Sequence, residues 1–180
     1  MSYKIIGLTG LARSGKDSVY KILESRLPRV LRFAFADELK TMCNDLCLKL
    51  TGIRTFTDDD KEKECIRPLL VLAGMLARKS DPDFWIKRIR LSVCTEAWGQ
   101  RRVVITDVRF PNEADWIQKE LKGILVHVTR TKNGRPIPPP NGEEAEHDPV
   151  LRRRADVQLV AEDLTKLWRE VDTKVMPWLK

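Results

Sequence analysis

The chain has 180 residues, room for one domain with a sizeable core and too few for two comfortable ones. With 42% hydrophobic and 33% charged residues the composition is globular, which excludes intrinsic disorder. Lysine and arginine outnumber acidic residues by 33 to 26, and the net charge of +7 favours polyanionic partners such as nucleic acid, nucleotides or phosphorylated metabolites.

In chain order, Tyr3–Leu8 reads as a short buried strand that runs into a glycine- and serine-containing loop. Val19, Ile22, Leu23 and Leu27 then fall at helical spacing, and Pro28 closes that helix. Val30–Ala36 reads as a second strand. Leu39, Met42, Cys43, Leu46, Cys47 and Leu50 line one face of the next helix, which Gly52 stops. The acidic stretch 54–64, with Asp58, Asp59 and Asp60, predicts a loop or the start of a helix. Helices follow at about 65–79 and 83–98, separated by the turn residues Asp81-Pro82-Asp83. Arg102–Thr106 is a third strand, followed by Asp107, a helix over about 112–121 and a strand over Ile124–Val128. Residues 131–149 hold Gly134, Gly142 and the prolines at 136, 138, 139, 140 and 149, which predicts one long loop. A strand at Val157–Val160 leads into a helix bearing Leu164, Leu167, Trp168 and Val171.

The cysteines, at 43, 47, 65 and 94, form no Cys-x-x-Cys pair, and with two histidines a zinc site is disfavoured. Cys43 and Cys47 read as buried free thiols. The first residues lack a charged stretch followed by an apolar one, and no apolar run approaches the ~20 residues of a membrane helix. The expected location is a reducing cytoplasm, that of the host for a phage product.

Alternating strands and helices imply an α/β fold with a parallel sheet covered on both faces. Ligands of such sheets bind at the carboxyl ends of the strands. The loop after Leu8, Asp107 and Arg130 all fall at strand ends, which suggests a shared site.

Gly10-Leu11-Ala12-Arg13-Ser14-Gly15-Lys16-Asp17-Ser18 has the G-x-x-x-x-G-K spacing of a Walker A loop, with Val19 inside the helix that it opens. Glycines let successive backbone N–H groups point at phosphate oxygens, and the helix start adds its positive end. Lys16 is placed to bridge the β- and γ-phosphates. The Ser or Thr that normally follows the lysine is Asp17 here, with Ser18 next. A carboxylate at that position is still a hard oxygen ligand for Mg²⁺. Asp107, after the run Val103-Val104-Ile105-Thr106, is the Walker B candidate, so Asp17, Ser18 and Asp107 form the expected metal set.

Gly15-Lys16-Asp17-Ser18, Phe33-Ala34-Phe35-Ala36-Asp37-Glu38-Leu39-Lys40 and Thr106-Asp107-Val108-Arg109-Phe110-Pro111-Asn112-Glu113 resemble, in order and separation, the bacteriophage-type deoxynucleoside monophosphate kinases. The resemblance spans residues 4 to about 130. It implies a single three-layer P-loop kinase domain with about five parallel strands, an acceptor-binding helical segment at about 37–98 and a lid loop at about 130–149. It further implies ATP and Mg²⁺ as cofactors and a deoxynucleoside monophosphate as phosphoryl acceptor. Asp37 and Lys40 would line the acceptor pocket, and Arg109 would grip the acceptor phosphate with its bidentate fork. Asn112 and Glu113 would orient Arg109 or touch the nucleotide, with Arg67 and Trp85 as phosphate and base contacts. Arg130, Lys132 and Arg135 would serve the lid, Arg130 reaching the transferring group.

Bland readings stand beside these. Asp37 and Asn112 also suit helix N-caps, Trp85 suits a core stripe with Ile89 and Val93, and Arg67 suits a solvated face. The chain departs from the family pattern at Glu146-His147-Asp148-Pro149, where a His-x-Ser-Glu-like motif is usual, and at Val71, where a glutamine is common. The related phosphomevalonate kinases share a G-K-D loop, so phosphomevalonate or a ribonucleotide stays open as acceptor. Lys87-Arg88-Ile89-Arg90, Arg101-Arg102 and Arg152-Arg153-Arg154 leave a nucleic-acid-stimulated ATPase as a weaker reading, since no sequence-reading module is present. A homodimer is left open.

Overall fold

A computed structural model describes residues 4–139 and 142–179. Tyr3 and Pro140, named above in the first strand and the long loop, lie outside the described residues. The elements are β1 (Ile5–Thr9), α1 (Lys16–Arg26), β2 (Val30–Phe33), α2 (Phe35–Thr51), α3 (Asp60–Ser80), α4 (Phe84–Trp98), β3 (Arg102–Val108) and α5 (Pro111–Asp115). They continue as β4 (Ile124–Lys132), β5 (Arg135–Pro136), α6 (Gly142–Arg154), β6 (Val157–Ala161), α7 (Leu164–Glu170) and α8 (Met176–Leu179). Wider π-helical turns extend α5 over Trp116–Glu120 and join α7 to α8 over Val171–Val175. The chain divides into two compact units, Met1–Phe33 with Ser92–Lys180, and Ala34–Leu91.

The first unit is a sheet in the order β2-β3-β1-β4-β5, with β6 on β4. All pairings but the short β4–β5 hairpin are parallel, so the expected α/β sheet of about five parallel strands is present. β1 is buried along its whole length, as a central parallel strand covered on both faces must be. Ile6, Leu8, Val104, Val126, Val128 and Leu159 turn to one face and pack with Val19, Ile22 and Leu23 of α1 and with Leu167 and Val171. Gly7 turns to the other face, where a Cβ would come within 2.7 Å of Ile117 Cδ1. The helix after β1 and the helix after β3 therefore cover opposite faces, which puts the topological switch point between those strands.

Several sequence-based boundaries are corrected. Phe35 and Ala36 open α2 instead of ending β2, because Ala34 is extended and the chain turns helical directly after it. α3 starts at Asp60, since the Asp59 carboxylate caps it by accepting from the Lys61 and Glu62 amides. β3 runs on through Asp107 to Val108, and β4 through Arg130 to Lys132, so both charged residues lie within strands.

The single loop expected over 131–149 is also corrected. Asn133 (φ 52°) and Gly134 (φ 74°) make a two-residue turn between β4 and β5, and the positive φ at both positions is what an Asn-Gly hairpin supplies. From Gly142 the chain is α-helical, with Pro149 inside the helix. The proline's fixed φ is compatible with a helix, and buried Glu144, Asp148 and Leu151 anchor one side of it.

In the second unit α2 and α3 enclose a small core of Cys43, Cys47 and Ile66, with Leu39, Leu69 and Leu70 against it. Both cysteines are buried free thiols, and burial pushes their pKa up. The apolar stripe read for α2 splits: Met42, Leu46 and Leu50 are exposed, because two packed helices bury only the narrow strip between them. Among the described residues no helix is long and apolar enough to cross a membrane.

Leu23 is fully buried against the sheet, so Leu23→Ala is expected to lower unfolding free energy by about 2–5 kcal/mol in a urea titration. Leu50→Ala, at a 66% exposed position, is expected to stay within about 0.5 kcal/mol.

Candidate functional site

The site is built where the central strands end. Thr9 at the end of β1 lies level with Val108 on one side and His127 on the other. The loop after β1 therefore emerges beside Asp107 and Arg109 and beside Val128 in the middle of β4. Gly10 has φ 129°, and a Cβ there would meet the Val128 carbonyl oxygen at 2.3 Å, so the loop can start this close to β4 only without a side chain. Gly15 (φ 106°) is the N-cap of α1 and brings no side chain to its first turn. Between them Arg13 is also left-handed, and the Ser14 N–H closes the turn on the Leu11 carbonyl at 3.1 Å.

Lys16 is the first residue of α1, and its Nζ folds back over the loop to donate to the carbonyls of Gly10 (2.7 Å) and Leu11 (2.8 Å). Burial, then the Arg109 guanidinium, lower its pKa from 10.5 to about 8, while Glu144, Asp17 and Asp107 pull the other way. This is a cation under tension, because desolvation penalises the charge and the neighbouring carboxylates only partly restore it. The Thr9 and Ser14 hydroxyls at the loop's edges are buried with no hydrogen-bond partner.

Arg109 is set by its neighbour. The buried Glu113 carboxylate accepts from the Arg109 amide (2.8 Å) and the Phe110 amide (3.1 Å), which fixes the turn into α5. The guanidinium then lies 3.5 Å from Glu144 Oε1. Asn112 sits in the first turn of α5, whose N-cap is Phe110. The His147 ring tilts against Phe110, with centroids 5.1 Å apart.

Two features escaped the sequence reading. Glu144, on α6, is buried and accepts from the Ala12 amide of the loop at 2.6 Å. One turn on, Asp148 meets His127 Nε2 at 3.0 Å and Arg152 Nη2 at 3.0 Å, and His127 Nδ1 lies 3.2 Å from the Thr129 hydroxyl. Burial alone would raise the Asp148 carboxyl, but His127 and Arg152 hold it below the usual carboxylate range. A Glu-x-x-x-Asp-x-x-x-Arg spacing at 144, 148 and 152 was the available signal, hidden by the prolines around it.

The remaining expected site residues are distributed. Arg130, Lys132 and Arg135 are exposed on the β4–β5 hairpin. Asp37, Lys40, Arg67 and Trp85 belong to the second unit. Asp37 is in the first turn of α2, and Lys40 Nζ lies over the Phe56 ring at 5.4 Å. Arg67 is exposed on α3, and Trp85 is buried, its indole N–H directed at the Gly74 carbonyl at 3.4 Å.

Among known proteins, one from Acanthamoeba polyphaga mimivirus assigned as a deoxynucleotide monophosphate kinase is 33% identical over 144 residues, covering 70% of this chain and 74% of the relative. The chain belongs to the deoxynucleotide monophosphate kinase family. Membership makes it a kinase, a nucleotide-binding transferase. No family model matches the chain. Two solved structures share the fold: TT1252 from Thermus thermophilus, with TM-score 0.57 and 16% identity over 100% of both chains, and dephospho-CoA kinase from Campylobacter jejuni. The latter has TM-score 0.50 and 11% identity over 98% of this chain and 97% of its own.

In this kinase the depressed pKa gives Lys16 a measurable signature. Its reactivity with a small amine reagent is expected to titrate with a midpoint near 8 instead of near 10.5. Peptide mapping of labelled protein across pH 6–11 reads it. A midpoint near 10.5 would overturn the placement.

Proposed function

We propose that the chain transfers the γ-phosphoryl group of ATP to a deoxynucleoside monophosphate, giving ADP and a deoxynucleoside diphosphate. The observation that carries this reading is the convergence of a glycine-shaped loop, a half-buried lysine and an arginine whose backbone is braced, at the ends of β1 and β3. The mimivirus relative's assignment supports the choice of acceptor.

In this reading the amides of residues 10–18 cradle the ATP phosphates. Lys16 exchanges its two carbonyl contacts for β- and γ-phosphate oxygens, whose charge restores its proton affinity. Arg109, held by Glu113, grips the acceptor phosphate. Arg130, Lys132 and Arg135 are the candidate lid cations, and Asn112 a candidate acceptor contact. The acceptor phosphate is already anionic at neutral pH, so positioning and charge stabilisation supply most of the rate.

Asp17, Ser18 and Asp107 suit a magnesium ion chemically. They offer hard oxygens, and two carboxylates with a hydroxyl match an ion that keeps waters and phosphate oxygens as its other ligands. When bound, the ion would neutralise charge on the β- and γ-phosphates. Asp17 is exposed at the start of α1, and Asp107 is half-buried near the end of β3.

The test is coupled ADP release with ATP and Mg²⁺, screening deoxynucleoside monophosphates, ribonucleotides and phosphomevalonate against a control without acceptor. Turnover that depends on a deoxynucleotide is expected. Lys16→Ala and Arg109→Ala are each expected to lower kcat/KM by about 10²-fold or more while the circular dichroism spectrum is kept. Full activity in both variants would sink the assignment, and turnover only with another acceptor would move the substrate.

A further inference from the structure

Glu144 lies outside the sequence motifs, yet its carboxylate sits on the phosphate-binding loop. Oε2 accepts from the Ala12 amide at 2.6 Å, and Oε1 lies 3.5 Å from Arg109 Nη1. The residue is 8% exposed, and its charge raises the proton affinity of Lys16. A buried anionic oxygen that takes a loop amide, faces a guanidinium and sits in the field of an ammonium has the surroundings of a phosphate oxygen. Lys16 meanwhile is turned onto the loop's own carbonyls. One amide hydrogen cannot hold two anionic oxygens in line at hydrogen-bond distance. A carboxylate left beside a polyphosphate would also repel it.

We propose that Glu144 is an internal competitor for the phosphate cradle: its carboxylate holds the Ala12 amide and Arg109 while no nucleotide is bound, and entering phosphate expels it. The proposal rests on the reading of residues 10–18 as the nucleotide's phosphate site. Asp148, four residues on and on the same side of α6, is tied to His127 in β4 and to Arg152. That anchor keeps α6 against the sheet, so the displacement falls on the Glu144 side chain and the first turn of the helix. The arrangement keeps the loop ordered without ligand and sets a threshold. An anion must offer more contacts than one carboxylate to enter, which a tripolyphosphate does and a single small anion does not.

The experiment is titration calorimetry of the full chain with inorganic tripolyphosphate and with ATP, comparing wild type, Glu144→Gln, Glu144→Asp and Glu146→Gln. Glu144→Gln is expected to bind both ligands roughly tenfold tighter, the scale of one charge-assisted hydrogen bond. Glu144→Asp, which keeps the charge but withdraws it by one methylene, is expected to move in the same direction. Glu146→Gln removes the same charge from an exposed position of the same helix and is expected to change affinity less than about twofold. Unchanged or weaker binding by Glu144→Gln, with circular dichroism and melting intact, overturns the competitor. If wild type binds ATP and transfers phosphate in that case, the competitor falls alone. If neither protein binds ATP or tripolyphosphate, the phosphate-site reading falls with it.

Discussion

Everything at the candidate site hangs on the burial of β1 between β3 and β4. Every residue of β1 is buried; its pairing with β4 is regular, while its pairing with β3 shifts by one residue between Gly7 and Thr9. That register puts Thr9 level with Val108 and His127. The loop after β1, the arginine after β3 and the histidine of β4 are therefore brought together by three strands, not by loop conformation. Gly10 is the one-atom consequence, because the loop leaves the sheet so close to Val128 that a methyl group does not fit.

The electrostatics follow from that geometry. Lys16 lies in the field of the Arg109 guanidinium and of the Asp17, Asp107 and Glu144 carboxylates. The balance leaves Lys16 short of compensation, and its proton is held less firmly than in water. Backbone carbonyls and Glu144 satisfy the donors without removing the imbalance. Two cations and three carboxylates share this end of the sheet, and the lowered proton affinity of Lys16 comes first from its burial.

The sequence is most legible where one local pattern carries the structure. Gly10, Gly15 and Lys16 announce the loop, and Val103–Thr106 announces the strand that delivers Asp107. It is least legible at 131–149. There prolines and glycines suggested a loop, and the structure instead has a hairpin turn at Asn133-Gly134 and a helix from Gly142. In α2 the residues from Leu39 to Leu50 share one face, yet Met42, Leu46 and Leu50 are exposed. Helical periodicity reports which residues share a side, and it cannot report how wide a partner covers that side.

By itself, then, the sequence determined the alternation of strands and helices, the glycine-shaped loop after β1 and the family, because each is written in contiguous residues. Tertiary structure alone decided that Glu144 meets Ala12 across 132 positions of chain, and that His127 and Asp148 tie α6 to the sheet. Those contacts join residues with no local signature of each other. They exist because the parallel sheet fixes where distant segments end, and a carboxylate in a helix meets the loop after β1 only once that sheet has formed.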